Sequence, residues 1–343
     1  MLGPHAALGG VRMNREIANL AARLIATGQV NDGDVLALRE AVWREDGISL
    51  DTLDALFRVN DRCAPGSPRW IGLFVEAVEH ALLNQTPPPG FIDEDGARWL
   101  QAKIDRDGRV ATLGEIELLV SVLEHAENAP DWLKAYALAQ IEATIKSGIG
   151  PTRAPGPIRP NCVDDVEVQL LRRLIFAGGG EGAIIVGAQE ADMLFRIKDA
   201  TLHGQNAPGW LQLFVQGVGN HLLAHSDYRP LPREDAARLN AEMEANTPSV
   251  AGFFRRMLPS DMLGRGTILD AFKSVFAPEG ALIVRSPSAD GASTLTAVEA
   301  AWLKTHIAAD GETDPFEKAL MTFILDEVGH VPAPLADLGR RRA

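Results

Sequence analysis

Apolar residues recur along most of the chain at helical spacing. Ile17, Leu20, Ala21 and Leu24 share one face of a helix that opens near Met13 and stops at Gly28. The same period governs three longer segments, 56–83, 118–145 and 194–223. Each reads as an apolar helical stretch, a short polar turn and a second apolar helix. The second helix starts at Pro68/Trp70, Pro130/Trp132 or Pro208/Trp210. Proline suits a first helical turn, where its missing N–H would have no partner anyway. A Trp two residues later is placed to pack that turn onto the preceding helix. Each segment therefore predicts an αα-hairpin. Period-2 alternation is scarce. Residues 182–187 and 281–286 are the candidate short strands, and the first of them reads better as an irregular helix-to-helix connection.

The segments also repeat one another. WLQAKIDRDGRVATLGE (99–115) matches WLKTHIAADGETDPFE (302–317), and DVLALREAVW (34–43) resembles DVEVQLLRRLIF (165–176). Of six tryptophans, only Trp43 lies outside the Pro-x-Trp and Trp-Leu motifs, which makes chance similarity a poor explanation. The expected fold is all-α, two tandem repeats of a helical bundle built from αα-hairpins. The expected boundaries are a lead and helix over 1–30, a first repeat over 31–147, a linker over 148–160, a second repeat over 161–330 and a tail over 331–343. The linker rests on the four prolines and three glycines of 147–160. The second repeat carries an insertion at 244–293. There Phe253, Phe254, Met257 and Leu258 stand beside Arg255 and Arg256. The insertion reads as an extra helix over the core, or as a surface in 250–276 for a partner or an anionic membrane.

Composition narrows the function. Lys+Arg is 33 against Asp+Glu 46, a net charge of −13, which excludes a phosphate-backbone tracker and so nucleic acid as partner. Residues 31–146 hold 21 acidic and 11 basic residues, so the first repeat carries most of that excess. Two cysteines, Cys63 and Cys162, exclude a disulfide framework and a zinc site built of cysteines. The start lacks a charged region followed by an apolar run, and no run of about 18 apolar residues occurs. A cytoplasmic protein without a transmembrane segment is expected.

The Asp-Gly loops are the candidate site. Ala309, Asp310, Gly311, Glu312 and Glu317 form an Ala-Asp-Gly-Glu…Glu pattern between two helical stretches; Asp107, Gly108, Val110 and Glu115 match it with one extra residue before the Glu. The pattern resembles the TerB-like tellurite-resistance family and the related N-terminal domain of DjlA-type co-chaperones. Thr313 departs from the usual Ile or Val. The resemblance covers about twenty residues per repeat. It implies a compact helical domain with acidic metal ligands and no established enzymatic activity. If metal binds, Asp105, Asp107, Asp310, Glu312 and Glu317 are the expected ligands, for Ca²⁺, Mg²⁺, Mn²⁺ or Zn²⁺. A true EF-hand is not expected. With Gly108 or Gly311 at the sixth position, the first position falls to Lys103 or His306, and the ligand set is incomplete. The competing reading is structural: Gly108 and Gly311 as helix C′ residues, and Thr112-x-x-Glu115 and Asp314-x-x-Glu317 as capping boxes.

Other chemistry is thin. His221 and His225 stand at i, i+4 with Asp227 nearby, a spacing that can hold zinc, but the Glu of a His-Glu-x-x-His motif is absent. AGGGEG (177–182) lacks the Lys and hydroxyl of a phosphate loop. No catalytic residue emerges. The expected function is a non-enzymatic interaction or stress-response accessory protein with a protein partner and weak divalent-metal binding. The alternatives are a metal-dependent enzyme with a site between the two halves, using His221, His225 and nearby carboxylates, and a scaffold whose groove between the halves grips an amphipathic partner helix.

Overall fold

The computed structural model describes residues 15–44, 47–63, 68–85, 89–153, 158–176, 186–224, 295, 297–307 and 313–327. Twelve helices stand among them: α1 (Arg15–Thr27), α2 (Asp32–Val42), α3 (Leu50–Arg62), α4 (Pro68–Leu83), α5 (Glu94–Ile104), α6 (Leu113–His125), α7 (Asp131–Ser147), α8 (Asp165–Ile175), α9 (Ala188–Thr201), α10 (Gly209–Ala224), α11 (Ala297–Ile307) and α12 (Pro315–Glu327). The other described elements are two two-residue strands, β1 (Asp105–Arg106) and β2 (Arg109–Val110), paired antiparallel. The all-α fold class holds. Among the described residues no helix is long and apolar enough to cross a membrane.

Contacts divide the chain into two compact units, 1–182 with 200–206, and 183–199 with 207–343. In the first unit α6 is the central helix: Gly114 to Leu123 is buried except for Glu117. It packs on α4, whose Trp70, Leu73, Phe74, Ala77 and Ala81 are buried at helical spacing. Trp70 packs against its own helix at Phe74, and its Nε1 donates to Asn60 of α3 at 3.4 Å. The expected Pro-x-Trp packing is met here. It is not met at Trp132, which is only partly buried and donates to Glu94 of α5 at 2.9 Å.

Helix α8 opens the second repeat by sequence, yet it packs on α6 and α7 in the first unit. Arg173 fastens it to α6 through Glu117 at 2.6 Å and Glu124 at 2.8 Å. In the described part of the Pro/Gly stretch Gly148 and Thr152 are buried, whereas Ile149 and residues 158–160 are exposed. Just beyond it Cys162 and Val163 are buried, and Asn161 N donates to Ile145 O at 2.9 Å.

In the second unit α10 packs on α12. Gly219 permits this approach, because the edge of the Phe323 ring stands where a Cβ would be. Phe195 meets Phe214 edge-on at 5.1 Å and Trp302 at 5.6 Å. In the first unit Phe57 meets Phe74 edge-on at 5.1 Å and Trp99 at 6.0 Å. These are the residue pairs that the sequence matches between the halves. The proposed strand 281–286, most of 182–187 and the 244–293 insertion lie outside the described residues.

Candidate functional site

The first Asp-Gly loop is a β-hairpin. Helix α5 ends at Ile104, with Asp105 as its C-cap. Asp107 (φ 55°) and Gly108 (φ 82°) are the two central residues, both left-handed, between the paired strands. Two-residue hairpins need this backbone, and Asp-Gly supplies it at little steric cost. Gly108 is therefore not the helix C′ residue expected from sequence; the helix stops earlier. Asp105 turns inward, accepting from Gly108 N at 2.6 Å and from the Tyr136 hydroxyl at 3.0 Å. Gln140 of α7 completes the mount, accepting from Val110 N at 3.0 Å and donating to Gly108 O at 3.1 Å.

Glu115 is the N3 residue of α6 and forms the expected capping box with Thr112. It is 0% exposed. One oxygen accepts from the amides of Thr112 and Ala111, and the other meets Arg106 of β1 at 3.1 Å. Arg106 also pairs with Asp61 of α3. The Thr112 hydroxyl accepts from Asn60 at 2.8 Å. Burial pushes the Glu115 carboxyl up, against the Thr112 amide and the Arg106 charge, which pull it down.

The second loop ends in the same device. Asp314 Oδ1 accepts from Glu317 N at 2.9 Å, and Asp314 N donates to Glu317 at 3.2 Å, a reciprocal capping box at the start of α12. The cation comes from α9. Lys198, 2% exposed, holds Asp314 at 2.6 Å, Glu317 at 2.7 Å and Asp199 at 2.7 Å. Burial alone would lower the Lys198 ammonium; its bonds to the three carboxylates outweigh that and raise it. Burial raises Glu317, with Lys198 opposing.

Sequence reasoning missed that two further helices open identically. At α2, Asn31 and Asp34 form a capping box, and Arg23 of α1 pairs with the buried Asp34 at 2.7 Å. At α8, Asp164 and Glu167 do the same. Glu167 accepts from Arg153 at 2.8 Å and from the Thr152 hydroxyl at 2.8 Å. Burial pushes the Glu167 carboxyl up to about 7, opposed by the Asp164 amide; the Asp164 charge adds to the rise, and Thr152 and Arg153 resist it. The signal was present as Asn-x-x-Asp and Asp-x-x-Glu ahead of apolar helices. The clamping cations carry no such local signal.

Of the expected metal ligands, Asp105 is bound within the hairpin, Asp107 is exposed at its tip and Glu317 is clamped. Asp310 and Glu312 lie outside the described residues. Among the described residues no group of three or more His, Cys, Asp or Glu is arranged to hold a metal ion. His221 is buried, its Nδ1 2.9 Å from Val186 O and its ring edge-on to Trp302 at 5.0 Å. His225 and Asp227 lie outside the described residues. Beside the hairpin, a shallow groove is lined by Asp54, Phe57, Asp61 and Lys103, with Lys103 paired to Asp54 at 2.6 Å. No protein-family model, curated protein or solved structure matches the chain.

Proposed function

We propose that this protein is a non-enzymatic helical accessory protein of the TerB-like kind, working in the cytoplasm as an adaptor for another protein. Its two helical copies arise by duplication, and Glu115 and Glu317, the glutamates that follow its Asp-Gly loops, are structural clamps. One observation carries the clamp reading. The N3 acid of four helices, Glu115 and Glu317 among them, is buried and held by a cation from elsewhere in the chain. A carboxylate so engaged has little left to offer a metal or a substrate. The duplication is supported by the paired Phe–Phe–Trp contacts at matched positions.

The adaptor reading is tested by gentle purification of the tagged full chain from its native host, followed by native mass spectrometry. A stoichiometric protein partner is expected. A partnerless chain carrying one tightly bound divalent ion overturns the reading.

A further inference from the structure

The two Asp-Gly clusters differ by an exchange of parts. In matched segments Asn60 corresponds to Lys198, Asp61 to Asp199, and Arg106 to Ala309. In the first unit the helix contributes a neutral amide, which donates to the N-cap hydroxyl of Thr112, and the loop contributes the guanidinium on Glu115. In the second unit the helix position carries the charge itself, and Lys198 reaches both the N-cap Asp314 and Glu317. The loop position matching Arg106 is an alanine, which has no charge to offer. The exchange has a cost. Asn60 can donate to Thr112 and also accept from Trp70, whereas an ammonium only donates. The matched Trp210 Nε1 is buried and has no hydrogen-bond partner among the described residues.

We propose that Lys198 is the built-in counter-ion of the second unit, replacing the loop guanidinium of the first and closing Glu317 to divalent metal. Each Asp-Gly cluster needs one cation against its buried N3 glutamate, because an unpaired buried carboxylate is strongly destabilising. Whether the helix or the loop supplies it is interchangeable. This rests on the clamp part of the proposed function and is independent of any partner.

The test uses the full chain. K198N installs the first unit's residue and removes the charge; a loss of roughly 10 °C in melting temperature is expected. The same exchange made in the first unit, N60K/R106A, recovers at least half of the stability that R106A alone loses, because a helix lysine then stands against Glu115. K198R keeps the charge and stays within a few degrees of the wild type, which separates lost charge from general misfolding. Calorimetric titration of the wild type with Mn²⁺ gives no heat that E317Q removes. The proposal is overturned if K198N melts like the wild type, if K198R falls as far as K198N, or if N60K fails to rescue R106A. It is also overturned if E317Q abolishes Mn²⁺ binding to the wild type. Mn²⁺ heat that E317Q leaves and D107N removes counts for Lys198 and against metal-free loops in the proposed function.

Discussion

The Asp-Gly clusters of the two units hold the same buried glutamate with different hands. In the first, Arg106 and Asp61 lie at the rim and Asn60 beneath, so the cation stays near solvent and the helix offers the cap a neutral contact. In the second, the ammonium itself goes inside and faces three carboxylates. The difference teaches that the geometric constant is the capped helix start, and the charge balance around it is negotiable. It also shows what each choice costs: a long side chain reaching in from a surface hairpin in one unit, an indole N–H with no partner among the described residues in the other.

The largest effects come from the aromatic centres, where the units are most alike. Phe57→Ala and Phe195→Ala each remove a buried ring that meets one Phe and one Trp. Each should cost about 3–5 kcal/mol in denaturant unfolding. A loss at one site several-fold smaller than at the other breaks the equivalence. Next come the clamped glutamates. Glu115→Ala strands two amides and leaves Arg106 with Asp61, whereas Glu317→Ala strands one amide and leaves Lys198 with two carboxylates. Losses of about 3–4 and about 2–3 kcal/mol are expected. The reverse order would show that the number of remaining partners does not set the cost.

Glu167 offers a smaller, pH-dependent contrast. Its folded carboxyl titrates near 7, above the usual range of about 4.3, so the folded chain binds more protons than the unfolded one between these values. Its contribution to stability is complete in acid and is lost as pH rises through about 7. Relative to E167Q, the wild type should lose on the order of 1–3 kcal/mol from pH ~5 to pH ~8, followed by thermal melting. Parallel curves for the two proteins would refute the shift. The smallest effect is at the hairpin. Gly108→Ala meets no neighbour but must hold φ 82°, and should cost about 1 kcal/mol, whereas Asp107→Gly is neutral or slightly stabilising.

Helices and caps were legible in the sequence because they are local. Thr112-x-x-Glu115 and Asp314-x-x-Glu317 could be read as capping boxes from four letters each, and both are formed. The hairpin was harder, since two residues per strand give no alternation to see; only the Asp-Gly pair hinted at it. Trp132 shows the opposite failure. It shares its letters with Trp70 and Trp210, but its environment is set by distant Glu94. The clamps were illegible for the same reason: Arg23, Arg106, Arg153 and Lys198 find their glutamate or aspartate only after the chain has folded.

The two clamps also close over different lengths of chain. Arg106 and Glu115 are 9 residues apart, whereas Lys198 and Glu317 are 119 apart. Closing the longer loop costs about 2 kcal/mol more in chain entropy. More telling is the order of synthesis. The first clamp can snap shut soon after its hairpin leaves the ribosome. The second has its lysine waiting beside Asp199, without Asp314 and Glu317, until the last described helix has been made. Chaperone demand during translation should therefore fall on the second unit.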